Sequence, residues 1–129
     1  MAEELSLAVR VYWEDTDAGG IVYHAAYLQF MERARTEWLR VRGVDQVALR
    51  AHARLQFAVV DMHMQWLRPA RFDDLLTVTA TLADCGGASG TFRQEVRRLH
   101  EVLAQATVRV AALDAETLKP CRLPAAFVE

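Results

Sequence analysis

DTDAGGIVYHAAYLQFMERARTEWLR, residues 15–40, contains the change of period that decides the fold. From about His24 to Arg42 the apolar residues Tyr27, Met31, Ala34, Trp38 and Val41 recur at steps of three and four, while Gln29, Arg33, Thr36 and Arg40 form the opposite stripe. The spacing predicts an amphipathic helix of about five turns. Leu28, Phe30 and Leu39 widen its apolar side, so other structure must embrace most of it. Gly43 supplies the C-terminal stop.

Outward from the helix the period falls to two. Leu5, Leu7, Val9, Val11 and Trp13 alternate with Ser6, Ala8, Arg10 and Tyr12, which predicts a first strand over 5–13. The turn-forming run EDTDAGG ends it. Beyond Gly43 four further strands are expected, at roughly 55–68, 75–84, 91–100 and 103–113, with breaks at Pro69-Ala70 and in CGGASG, 85–90. No second helix of comparable length is expected. One long helix and five strands imply an α+β layer, an antiparallel sheet wrapped on the helix, in one domain over residues 1–129. Such a layer leaves a sheet edge open, which oligomers commonly cover, so at least a dimer is expected.

Composition narrows the function. With 53% hydrophobic and 25% charged residues the chain can bury a core. A net charge of -2 gives no global field to gather nucleic acid, although fourteen of the fifteen basic residues are arginine. No run approaches a transmembrane segment, and the acidic start MAEELS lacks a secretory pattern, so a cytoplasmic location is expected. Cys85 and Cys121 have no CxxC or histidine spacing, and His52, His63 and His100 are scattered. No metal site is therefore assigned.

The densest chemistry lies in EDTDAGGIVYHAAY, 14–27. Glu14, Asp15 and Asp17 precede a helix whose first N–H groups lack intrahelical partners and whose dipole is positive at that end. A carboxylate beside such donors suits acyl transfer, where a base or nucleophile meets a carbonyl and the donors receive the oxyanion. The same spacing serves a helix or turn cap, which Asp makes routinely for about 1 kcal/mol. Gly19 and Gly20 allow a ligand close to the backbone, or serve only the turn. His24 is placed to orient substrate or water, or to be structural. Glu32 reads as a solvated helix residue.

DTDAGGIVYHAAYLQFMERARTEWLR resembles the signature of the 4-hydroxybenzoyl-CoA thioesterase-like hot-dog proteins, and especially of the Tol-Pal-associated acyl-CoA thioesterase subgroup. WLRPARFDDLLTV at 66–78, GGASGTFRQEV at 86–96 and KPCRLP at 119–124 resemble that subgroup in order and spacing. The resemblance implies a hot-dog fold, dimers or tetramers with active sites where subunits meet, and Asp17 as the catalytic carboxylate. His24 matches the subgroup's usual histidine, and Gly19, Gly20, Tyr23 and Ala25 are assigned to substrate binding around it. Two positions depart from relatives: Ala26 stands where many have Asn, and GGASG replaces the basic residues with which some aryl-CoA enzymes hold phosphate.

The leading reading is an acyl-CoA thioesterase that needs no cofactor, with acyl-CoA as substrate and acyl carrier protein as a further partner. A hot-dog hydratase or dehydratase, using His24 and a carboxylate to move protons, is the alternative enzyme. A non-catalytic acyl-carrier or envelope-associated binding module is the third reading.

Overall fold

The computed structural model describes residues 3–127. Its elements run β1 (Leu5–Arg10), α1 (Ala26–Val41), α2 (Gln46–Ala53), β2 (Leu55–Trp66), β3 (Leu75–Gly86), β4 (Ser89–Arg98) and β5 (Glu101–Asp114), with single 3-10 turns at Trp13–Asp15 and Ala125–Phe127. The strands form one antiparallel sheet in the order β1-β3-β4-β5-β2. This is the five-stranded antiparallel sheet expected from the period-two segments.

The α1 helix packs on β3, β1 and β4. Its Phe30, Met31, Ala34 and Trp38 are essentially inaccessible, and they meet Leu76, Val78 and Ala80 of β3 and Phe92 and Val96 of β4. Burial of each large side chain stabilises the fold by about 1.5–3 kcal/mol. Trp38 makes an edge-on contact with the Phe92 ring at 5.1 Å.

Several expectations are corrected. The first strand ends at Arg10 rather than residue 13, and Trp13 is 67% exposed. Val11 continues the inward alternation, but its N–H and C=O bond Asp74 and Asp73 instead of a strand partner. Val41, placed on the apolar stripe, is 70% exposed, while the Arg42 guanidinium lies 4.0 Å over the Trp38 ring. The single-helix expectation gives way to two helices. The second, α2, has eight residues, none buried, and is set by Asp45, whose Oδ1 accepts from the N–H groups of Val47 and Ala48 at 3.0 and 3.1 Å.

Strands β3 and β4 extend into the glycine run because Gly86 pairs with Ser89, leaving a two-residue hairpin in which Gly87 has φ +60°. At the sheet's other end, β2 pairs only with β5. It has twelve residues and buries none of them.

Candidate active site

The site begins where β1 stops. Asp15 is buried; its Oδ2 accepts from the Tyr12 N–H at 2.9 Å, and its C=O accepts from the Tyr23 N–H at 2.8 Å. The carboxylate closes the 3-10 turn, and the backbone carbonyl ties down the far end of the following loop. Asp17 is exposed at the head of a tight turn. Its N–H donates to the Ile21 C=O at 2.9 Å, and its Oδ1 accepts from the Gly19 N–H at 2.8 Å. Gly20 has φ +83°, a conformation that costs a residue with a Cβ. A Cβ on Gly19 would approach Asp17 Oδ1 to 3.2 Å, so the glycine leaves the carboxylate its place.

The regular helix starts at Ala26, two residues later than the sequence period suggests. The Ala26 N–H is used by the Tyr23 C=O at 2.9 Å. Among the described residues the N–H groups of His24 and Ala25 donate to no protein acceptor. They are free donors at this end of α1. The His24 ring lies between Tyr23, 4.4 Å away, and Trp66, 5.8 Å away and perpendicular, while Trp66 Nε1 donates to the His24 C=O at 3.1 Å.

The opposing wall is the segment after β2. The Ala70 N–H donates to the Tyr27 hydroxyl at 3.1 Å, and the Ala70 C=O accepts from the Val22 N–H at 2.9 Å. Burial pushes the Tyr27 phenol above its ordinary pKa, against the opposing influence of the Ala70 bond, so it stays a neutral hydroxyl at physiological pH. Arg98 holds the wall from behind, donating to Asp74 Oδ2 and Glu101 Oε1, each at 2.8 Å. Glu101 also pairs with Arg68 at 3.0 Å.

Between loop and wall lies an open cleft of about 350 Å³ lined by residues that include Asp17, Val22, His24, Tyr27, Trp66 and Arg68. It brings together the two residues assigned to catalysis. Gly19, Gly20, Tyr23 and Ala25 lie beside it, in its loop and helix approach, rather than in its lining. Trp66 and Arg68 fall in the stretch WLRPARFDDLLTV, but their place at the cleft was not assigned, because it depends on the fold bringing a segment some forty residues downstream to the start of α1. Tyr27 reads in sequence as an apolar helix residue, and its hydroxyl role depends on Ala70.

The loop carboxylate of Asp17 and the His24 end of α1 thus line one cleft, on a sheet of this topology. The thioesterase-like superfamily model matches residues 11–129, and the chain belongs to that superfamily. Among its relatives, acyl-CoA thioesterase YbgC of Haemophilus influenzae is 44% identical over 119 residues, covering 92% of this chain and 88% of the relative. Acyl-CoA thioester hydrolase YbgC of Escherichia coli O6:H1 is 45% identical over 121 residues, covering 93% and 90%. The crystal structure of a probable thioesterase from Bartonella henselae superposes with a TM-score of 0.90 at 37% identity, covering 95% of this chain and all of that one.

Proposed function

We infer that this chain is an acyl-CoA thioesterase, hydrolysing acyl-coenzyme A to the free acid and coenzyme A. The observation that carries the mechanism is the Asp17 carboxylate, exposed and bonded only to its own turn, in one cleft with the helix start where the His24 and Ala25 amides are free. Those amides receive the oxyanion as the thioester carbonyl becomes tetrahedral. Asp17 acts in one of two ways. As a general base it takes a proton from water, the hydroxide adds to the carbonyl carbon, and the C–S bond breaks to release the coenzyme A thiolate. As a nucleophile it displaces the thiolate and forms an acyl anhydride, which water then opens. His24, held between two aromatic rings, orients the thioester.

The assembly is a homodimer or a homotetramer formed from such dimers. Its support is the β2 edge: twelve residues, unpaired on one side, with Val59, Val60 and Trp66 each about half exposed. The resemblance of DTDAGGIVYHAAYLQFMERARTEWLR to the Tol-Pal-associated subgroup is the support for a place in that subgroup, with residence in the cytoplasm and acyl carrier protein as an alternative thioester donor proposed alongside it.

Free-thiol release from a panel of acyl-CoA substrates tests the activity. Hydrolysis frees coenzyme A thiol in step with the acid; a hydratase alters the acyl chain without releasing thiol, and a binding module does neither. Light scattering with specific activity along a dilution series tests the assembly: activity is expected to fall as the protein dissociates. A fully active monomer would contradict a site shared between subunits.

A further inference from the structure

Upstream of Asp17 the same loop carries a second feature, a pair of stacked rings. Val11 bonds the turn before β3: its N–H donates to the Asp74 C=O and its C=O accepts from the Asp73 N–H, each at 2.9 Å. These bonds bring Trp13 to Phe72. The two rings lie face to face, with centroids 3.7 Å apart and planes 7° from parallel. Aromatic side chains pair more often offset or edge-on, with centroids ~4.5–7 Å apart, so this pair overlaps more fully than such rings usually do.

Trp13 is 67% exposed although Phe72 covers one face of its indole, so the other face is open to solvent. Tyr12 and Phe72 are exposed as well. An open, flat indole face is a platform for one further ring, and a nucleic-acid base is a ring that stacks in this way. The surrounding residues fit a base that carries phosphate. Arg71 is exposed, and among the described residues its guanidinium joins no ion pair. Arg10 Nη1 donates to the Asp73 C=O at 2.7 Å, which holds a second guanidinium against the same turn. Glu14 and Asp73, the exposed carboxylates of these segments, offset the two charges, so stacking rather than net charge selects the occupant.

Platform and cleft share a loop. The Trp13 C=O accepts from the N–H and the hydroxyl of Thr16 at 3.0 and 2.7 Å, and Asp17 is the next residue. Arg71 bridges to Ile21, which lines the cleft with Asp17. Asp17 follows Trp13 by four residues, so their backbones are at most ~14 Å apart. The pantetheine arm between a thioester and its nucleotide spans such a distance. Resting on the acyl-CoA thioesterase reading above, we propose that the open face of Trp13 stacks the adenine of coenzyme A while the thioester lies at Asp17, with Arg71 at the nucleotide's phosphates. This contact favours coenzyme A thioesters over those on a carrier protein, whose pantetheine arm bears no adenine. The platform lies at the opposite end of β3 from the GGASG turn.

The test is kcat/KM for thiol release from one acyl group carried on coenzyme A and on pantetheine, which share the thioester and the arm and differ in the nucleotide. The intact protein is expected to prefer the coenzyme A thioester by about tenfold or more, the scale of a base stacked on an aromatic side chain. In Trp13→Ala, with folding checked by circular dichroism, that ratio is expected to fall towards one. In Trp13→Phe, which keeps a smaller ring, it is expected to fall part of the way, and this variant decides the matter if the Ala protein does not fold. Adenosine 3′,5′-bisphosphate, the nucleotide end of coenzyme A alone, is expected to compete with acyl-CoA in the wild type and to lose most of that competition in Trp13→Ala. Equal constants for the two thioesters in the wild type, or a ratio that survives both substitutions, would overturn the proposal while leaving the thioesterase reading intact. So would a Trp13→Ala protein that changes its assembly in light scattering with the ratio unaltered, which would assign the open face to another copy of the chain. Absence of thiol release from both substrates would remove both readings.

Discussion

Asp15 and Asp17 stand one residue apart in opposite surroundings. Asp15 is 8% exposed, and both its carboxylate and its C=O accept backbone N–H groups that shape the loop. Asp17 is exposed, and its Oδ1 accepts one bond from within its own turn while Oδ2 has no partner among the described residues. The first carboxylate is consumed by the fold. The second is held in position yet keeps the lone pairs that a base or nucleophile needs. The difference separates a capping role from a chemical one more sharply than residue type or spacing can.

The comparison can be broken by substitution. The largest effect is expected for Asp17→Asn, which keeps size and the turn's acceptor but removes charge and nucleophilicity; kcat for thiol release should fall at least about a hundredfold, or ~2.7 kcal/mol in barrier. Near wild-type turnover in the folded variant would end the assignment. Next comes Asp15→Ala, expected to lower unfolding free energy by about 1–2 kcal/mol in urea titration, because it removes the acceptor that closes the turn at Tyr12. Unchanged stability would make Asp15 as dispensable to the fold as Asp17. His24→Ala is expected to lower kcat less than about tenfold, since the backbone amides at 24 and 25 remain and Trp66 bonds the His24 C=O rather than its ring. A larger loss than for Asp17→Asn would transfer the chemistry to the imidazole and favour the dehydratase reading.

Asp74 sharpens the comparison from the far wall. Burial raises its pKa, but bonds from the Arg71 N–H and the Arg98 guanidinium outweigh that, so its carboxyl titrates below the ordinary carboxylate range. A depressed folded pKa means that its contribution is present above the unfolded value, about 4, and is lost as pH falls through the folded one. Asp74→Asn should therefore lose less stability than the wild type on acidification below that value. Parallel stability curves for the two proteins would show that Asp74 contributes nothing through its charge.

Much of this architecture is legible in sequence because it rests on period. Leu76, Val78, Ala80 and Leu82 alternate and are all buried; Tyr27, Met31, Ala34 and Trp38 form the inward stripe of α1. What escaped depends on partners distant in sequence. QVALRAHA at 46–53 becomes a helix with no buried face, so its local apolar pattern says little. The burial of Arg35 requires Gln94, fifty-nine residues away, and Trp66 reaches His24 across forty-two. DTDAGG marked the loop, but its two aspartates are distinguished only when the Tyr12 and Tyr23 amides are seen to converge on Asp15.

The most direct measurement of the central claim is a paired one: kcat and urea unfolding free energy for Asp15→Ala and Asp17→Asn, determined on the same preparations. The expected result is a crossing, in which Asp17→Asn loses at least about a hundredfold in kcat at nearly wild-type stability while Asp15→Ala loses about 1–2 kcal/mol of stability and far less turnover. Parallel losses in the two variants, or the reverse crossing, would contradict Asp17 as the carboxylate that carries the chemistry.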